Sequence, residues 1–369
     1  MNTKQPLKEI LSATREQWDH AEIRPAVRRN FKKVIDCRTP ALGAEIYASE
    51  TEQKVVHHTC KSRACPSCGH RATQLWQREQ WAALPDIPYA GVVLTMPDAL
   101  WPIFKRNRHL LHDLPSLGAA VIQQWVKARY GIRILIMVVP HTFGRHLNFN
   151  AHLHMLVSGV GLHESEGRLV SGLQFSRKAI MHIWRYAVIT YLRQATEARV
   201  LKADLSSDQL RVLLKTQYER WWNIDIGHLH SKTHFLRYAG RYVRRPPIAQ
   251  RRFVEISGHE VEFWTKDLRQ KRVIKKRYAI ADFVAMLGEH VLDHYRHAIR
   301  YFGLLAPRSK HRTLAALFAL LGQEERPRPR RLSWAGSLRK TFGIDPLFDS
   351  RGQPMHWVRR LAPIICKHM

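Results

Sequence analysis

At 369 residues the chain is long enough to bury a sizeable core and to make two or three domains. Its 60 lysines and arginines against 30 aspartates and glutamates give a formal charge of +30, which points to a polyanion, nucleic acid first, as the habitual partner. The longest apolar runs fall far short of a membrane span, no long basic amphipathic helix stands out for a membrane surface, and the first twenty residues lack the apolar stretch of a signal peptide, so a cytoplasmic protein is expected.

Residues 1–36 read as amphipathic helix. A cysteine cluster follows: of the five cysteines, Cys60, Cys65 and Cys68 fall within nine residues, in "HHTCKSRACPSCGH". Closely spaced thiolates in a cytosolic chain favour a metal over disulfides, and four-coordinate Zn²⁺ needs one more donor. Cys37, in "DCRTPALG", is the first candidate, with His57, His58 and His70 in reserve. The plainer alternative is a set of free buried thiols. Cys366, alone near the end, reads as an incidental thiol.

"RATQLWQREQWAALP" (71–85) predicts a helix closed by Pro85, and "YAGVVLTMP" (89–97) a strand ended by proline. A helix over 116–131 stops at Gly131, and a second strand covers 132–144. "NAHLHMLVSGVG" (150–161) follows after a short connection that suits an antiparallel hairpin. Strand alternation puts Asn150, His152, His154, Leu156 and Ser158 on one face, and Ala151, Leu153, Met155 and Val157 on the other. The apolar set reads as core. Two imidazoles side by side on the opposite face suit a divalent metal with open positions, against the plainer reading of two hydrogen-bonded surface histidines. A third ligand is expected, and Asn150, His141, His146, His230 and His234 are all open for that place.

A long helix covers 175–200 and another about 206–222. "SKTHFLRYAGRYV" (231–243) reads as a helix that stops ahead of Pro246 and Pro247, placing Tyr238 and Tyr242 one turn apart on one face. Arg237, Arg241, Arg244 and Arg245 crowd the same turns, and the planar arginine fork is the preferred partner of phosphate. A tyrosine that attacks a phosphodiester makes a phosphotyrosine from which phenoxide can leave again; a phenol of pKa about 10 needs arginines, a metal or a base to do so. The plainer alternative is a packed tyrosine pair. "RRFVEIS" and "EVEFWTKD" form a hairpin across Gly258, after about 270 the chain turns helical, and "RPRPRR" (326–331) is an extended basic linker into a tail. The fold class is α+β with a central antiparallel sheet: an N-terminal helix and zinc-binding module (1–85), the core (86–270), a helical C-terminal region (271–325) and a basic tail (326–369).

The strand in "FGRHLNFNAHLHMLVSGVG", followed by Tyr-x-x-x-Tyr in "FLRYAGRYVRRPPI", resembles the HUH endonuclease superfamily, and more narrowly the two-tyrosine transposases of the insertion sequence 91 group. "YFGLLAPRSK" (301–310) resembles a segment that follows the catalytic core in that group, and "CRTPALG" with "TCKSRACPSCG" resembles its N-terminal zinc-binding domain. The resemblance spans about 30–345. It implies an HUH-type sheet, Mg²⁺ or Mn²⁺ on His152 and His154, and Tyr238 and Tyr242 as nucleophiles on single-stranded DNA. Cleavage would leave a 5′-phosphotyrosine and a free 3′-OH, in rolling-circle transposition. Family members commonly carry a further Cys-x-x-Cys where this chain has "YASETEQK" (47–54), so one zinc ion is expected, not two. The zinc module either grips DNA near the element's end or serves structure alone, with "KSR" solvated. A rolling-circle replication initiator and a non-catalytic, zinc-dependent DNA-binding regulator are the alternative functions.

Overall fold

The computed structural model describes residues 5–364 except Arg245, Leu268, Arg269, Tyr295 and Arg331. The first segment holds α1 (Pro6–Ala13), α2 (Arg15–Trp18), α3 (Pro25–Asp36), β1 (Ala44–Ala48), β2 (Gln53–His57) and α4 (Pro66–Ala83). The middle holds β3 (Tyr89–Leu94), α5 (Trp101–Arg106), α6 (Leu114–Tyr130), β4 (Ile132–Phe143), β5 (Phe149–His163), β6 (Leu169–Ser171), α7 (Arg177–Glu197), α8 (Ser207–Glu219), β7 (Ile224–Leu229) and α9 (Lys232–Ala239). The last holds β8 (Phe253–Ser257), β9 (Glu260–Lys266), β10 (Val273–Ala279), α10 (Ile280–Glu289), β11 (Arg300–Gly303), α11 (Lys310–Leu320), α12 (Trp334–Phe342) and β12 (His356–Leu361).

The central sheet runs β11-β4-β5-β3-β7 with β6 beside β5, and its strands pair antiparallel. Strand parity decides what each face meets. Ile134, Ile136 and Val138 of β4, Ala151, Leu153, Met155 and Val157 of β5, and Ala90, Val92 and Leu94 of β3 are all buried in one core with side chains from α5 to α8. The opposite face carries Tyr89, Leu135, Met137, Val139 and Leu156 against Trp76 of α4, Phe235, Leu236 and Ala239 of α9, and Leu314, Leu317 and Phe318 of α11. Each such side chain contributes about 1.5–3 kcal/mol on full burial, so slipping β5 by one residue is prohibitive. His152 and His154 have the parity of the second face. They therefore emerge under α9.

A second core gathers α1, α2, α3, α10 and the β10-β9-β8 sheet around the four buried cysteines 37, 60, 65 and 68. The third sheet, β12-β1-β2, brings the far end of the chain back to its first strands.

The expectation of a purely helical stretch after 270 is corrected: β10 and β11 lie there beside α10 and α11, and the tail holds α12 and β12. In β10 only Ile274 and Tyr278 are partly covered among exposed, mostly cationic neighbours, so the alternation that marks a strand is nearly absent; Tyr278 stacks on Phe263 of β9 at 5.8 Å. The four residues of β11 are too short to show a period, and β12 is mostly exposed and held by pairing with β1. Residues 326–330 lack regular structure, as expected, but Arg326 pairs with Asp86 and sits 5.8 Å over the Trp81 ring. No helix among the described residues is long and apolar enough to cross a membrane.

Candidate active site

The β4–β5 register sets His141 opposite His152 and Val139 opposite His154. The three imidazoles converge, with one ring nitrogen from each within 4.8 Å of the others. His152 Nδ1–H donates to the Asn150 carbonyl at 2.8 Å, which turns the Nε2 lone pair toward His154 Nε2, 3.1 Å away. His141 Nε2–H donates to the Tyr242 carbonyl at 3.0 Å, which leaves Nδ1 as its free donor to a cation. His154 Nδ1 is buried without a hydrogen-bond partner among the described residues. Burial holds all three below the usual imidazole value of 6.5, and neighbouring imidazoles add to this at His141 and His154. Neutral at pH 7, they are competent ligands. Three imidazoles fit a divalent ion and leave coordination positions open.

Of the four histidines open for the third place, His141 is the one in the cluster. The Asn150 backbone carbonyl accepts from His152, while its side-chain Oδ1 is buried and unpartnered among the described residues, which leaves that oxygen available as a donor to a cation. His146 and the exposed His230 and His234 lie outside the group.

Helix α9 is fixed at its start by Ser231, whose Oγ accepts from the His234 amide, and by buried Lys232. The Lys232 Nζ donates to the Trp81 and Leu84 carbonyls at 2.9 and 3.0 Å and pairs with Asp86 at 3.0 Å. Farther along, α4 holds the segment again: Gln77 Nε2 donates to the Leu236 carbonyl at 2.8 Å and Thr73 Oγ1 to the Val243 carbonyl at 2.7 Å. A Cβ on Gly240 would stand 2.3 Å from Gln77 Nε2, so glycine there lets α4 close in. The helix stops at Ala239, not at 243. Residues 240–244 wind on as tight turns, with the Arg241 amide on Tyr238 O and the Tyr242 amide on Ala239 O, until Arg244 takes a φ of +50°.

The two tyrosines thus do not share one regular helix face, yet their rings lie 4.9 Å apart. Tyr242 stacks on the His154 ring at 3.7 Å and 23°. Tyr238 lies against β3, where a Cβ on Gly91 would come within 2.9 Å of its ring. Burial, then the neighbouring Tyr242, pushes the Tyr238 phenol up. Gly91 was legible as a signal: a glycine inside an apolar strand marks a close approach. Arg237, Arg241 and Arg244 are exposed around the pair, and the Arg241 guanidinium lies 5.2 Å from the Tyr238 ring centre. Arg245 lies outside the described residues, as does Cys366.

Cys37 joins Cys60, Cys65 and Cys68, all buried. The Cys37–Cys68, Cys60–Cys68 and Cys37–Cys65 sulfurs are each 3.7 Å apart. A tetrahedron with Zn–S bonds of about 2.3 Å has edges of about 3.8 Å, so the four sulfurs fit a closed Zn²⁺ site. His58 is engaged elsewhere, with the Leu42 carbonyl and Glu45, and His70 with Gln74. "YASETEQK" forms the turn of the β1–β2 hairpin and its flanks.

A family model described as "Transposase zinc-binding domain" matches residues 7–96, and one described as "Putative transposase" matches 136–313. The cysteines fall in the first span, the histidines and tyrosines in the second. The transposase for insertion sequence element IS801 of Pseudomonas savastanoi pv. phaseolicola is 31% identical over 362 residues, covering 93% of this chain and 87% of the relative. A protein of Sinorhizobium fredii (strain NBRC 101917 / NGR234) named "Putative transposase y4qJ" is 28% identical over 319 residues, covering 82% and 80%. No solved structure matches. Likeness of this order along nearly the whole length, with both family models in sequence, makes the chain a member of the insertion sequence 91 family of transposases.

Proposed function

We propose that the chain is a DNA transposase that nicks and rejoins single-stranded DNA through covalent 5′-phosphotyrosine intermediates. The observation that carries this reading is the Tyr242 ring stacked on His154, inside a three-imidazole cluster with Tyr238 beside it. Mg²⁺ or Mn²⁺, held by His141, His152 and His154, would supply Lewis-acid polarisation of the scissile phosphate. The carbonyls of Asn150 and Tyr242 keep His152 and His141 in the tautomers that present a lone pair. Arg237, Arg241 and Arg244 bind flanking phosphates and favour the phenolate.

In the cut, the tyrosine gives up its phenolic proton, its oxygen forms a bond to phosphorus and the bond to the 3′ oxygen breaks. That oxygen takes up a proton as a free 3′-OH, and the 5′-phosphate stays on the tyrosine. In rejoining, a 3′-OH attacks the same phosphorus and the phenolate leaves, so no external energy source is needed. With two tyrosines one end is held while a second strand is cut.

The test uses end-labelled single strands covering the DNA that flanks the gene, with Mg²⁺ or Mn²⁺, and scores labelled protein that survives SDS. A metal-dependent adduct is expected, absent from the Tyr238→Phe, Tyr242→Phe double variant. Tyr242→Phe alone is expected to lose more than Tyr238→Phe, because burial keeps the Tyr238 phenol protonated. Tight DNA binding with no adduct on any strand would instead favour the non-catalytic regulator.

A further inference from the structure

A cavity of about 130 Å³ is lined by His141 and, among others, by Asn30, Arg63, Thr142, His290 and Arg296. Arg63 belongs to "KSR", between Cys60 and Cys65; of that motif Lys61 is exposed, Ser62 buried and Arg63 half-buried. Its Nη1 is buried and has no hydrogen-bond partner among the described residues. Arg244, the charge that acts on it, is another cation. Guanidinium does not shed its proton at neutral pH, so a half-buried guanidinium with one nitrogen sealed off and no counter-ion beside it is costly unless an anion completes it.

The rest of the lining agrees. Arg296 adds a second guanidinium, and no acidic residue lines the cavity among the described residues. His290 is already satisfied, with Nε2 on the Leu147 carbonyl at 2.7 Å and Nδ1 3.3 Å from Thr142 Oγ1, and burial holds it near 4, so it brings no charge of its own. Asn30 is occupied by the Ser62 hydroxyl at 2.7 Å, which steadies the loop that carries Arg63. Two guanidiniums and no carboxylate around a space of this size suit one tetrahedral oxyanion.

We propose that this cavity takes a backbone phosphate of the DNA strand, next to the scissile one, with Arg63 as its fork, so that the zinc module contributes directly to substrate binding. The position relative to the scissile phosphate rests on the strand-cleavage reading; the phosphate binding itself does not.

The test compares the full-length, zinc-loaded protein with Arg63→Gln and Arg63→Lys. Oligo(dT) binding is followed by fluorescence anisotropy from about 50 to 300 mM salt without divalent ions, so that cleavage plays no part. Arg63→Gln is expected to weaken binding about tenfold and to lower the log–log salt slope by about 0.7, one single-strand phosphate contact. Arg63→Lys is expected to keep the slope with intermediate affinity. An unchanged slope and affinity in Arg63→Gln overturns the proposal. If Arg63→Gln loses its zinc, the Lys variant and a second arm decide. Inorganic phosphate should raise the wild-type melting midpoint beyond chloride of equal ionic strength, and do so less in Arg63→Lys; no such difference overturns the proposal. Protection by phosphate with a salt slope indifferent to residue 63 assigns the cavity to free phosphate and overturns the DNA source. Absence of any covalent adduct would break the cleavage reading and leave these binding outcomes standing.

Discussion

The sulfurs of Cys37, Cys60, Cys65 and Cys68 and the imidazoles of His141, His152 and His154 are brought together by different means and left in different surroundings. The cysteines come from the end of α3, a loop and the first turn of α4, all within one short stretch of chain. Their four donors complete a tetrahedron inside the second core and leave no place for a substrate. The histidines come from a hairpin register, offer three donors, and have the Tyr242 ring stacked on His154 and a cationic cavity lined by His141. A closed set of soft donors stabilises, while an open set of imidazoles is available for reaction. The two are nonetheless joined. Helix α4 starts in the cysteine cluster and, about two and three turns on, uses Thr73 and Gln77 to hold the turn that carries the tyrosines.

The largest expected effect breaks that joint. Cys68→Ser should lose zinc and cost several kcal/mol, because metal binding free energy at a structural site is folding free energy. Zinc content and the melting midpoint should fall, and adduct yield should drop to background with every histidine and tyrosine in place. His152→Ala should abolish the adduct as well, yet keep its zinc. A Cys68→Ser protein that lost zinc and still formed adduct would show the two sites to be independent.

Gly91→Ala sharpens the open site itself. The new Cβ would press on the Tyr238 ring, and such overpacking costs about 1–3 kcal/mol. Combined with Tyr242→Phe, it should cut the remaining adduct strongly; combined with Tyr238→Phe, it should leave the Tyr242 adduct nearly intact. Equal losses in the two backgrounds would mean that the tyrosines move as one unit.

Much of both sites was legible because local chemistry determines it. Alternation placed His152 and His154 opposite the apolar face of β5, and cysteine spacing singled out Cys60, Cys65 and Cys68, with Cys37 their first candidate partner. His141 could not be chosen from sequence, since its place depends on the β4–β5 register, which shifts between His141 and Phe143. The early end of α9 follows from contacts with α4 and His141 that span many residues. Strands β10 and β12 escaped because their side chains are mostly exposed, and their pairing partners, β9 and β1, do the holding. For Arg63 the sequence left DNA contact and plain solvation both open, because the sealed-off Nη1 and the cavity wall it shares with His141 depend on the fold.

The smallest effect concerns the sheet that ties the tail to the zinc module. Glu45 of β1 is 8% exposed. Its carboxylate accepts from the Arg360 Nε at 2.7 Å, the Trp357 indole at 2.9 Å and His58 at 3.1 Å. Burial alone would raise its pKa, but these three donors outweigh burial and hold it below the usual glutamate value of 4.5. A carboxyl depressed by folding contributes stability above the unfolded value, which is lost as pH falls through the folded one. Pairing of β12 with β1 should therefore loosen below about pH 4.5, seen as faster hydrogen exchange in β12 and proteolysis of the tail. The contribution is about 1 kcal/mol or less, since Arg360 is 70% exposed and solvent screens it. Glu45→Gln should produce the same loosening at neutral pH, where the thiolates keep their zinc, and remove the acid step. If Glu45→Gln released the tail and left zinc content and adduct yield unchanged, the β12-β1-β2 sheet would stand apart from both metal sites. Loss of zinc in that variant would bind the tail to the cysteine cluster through His58, two residues before Cys60.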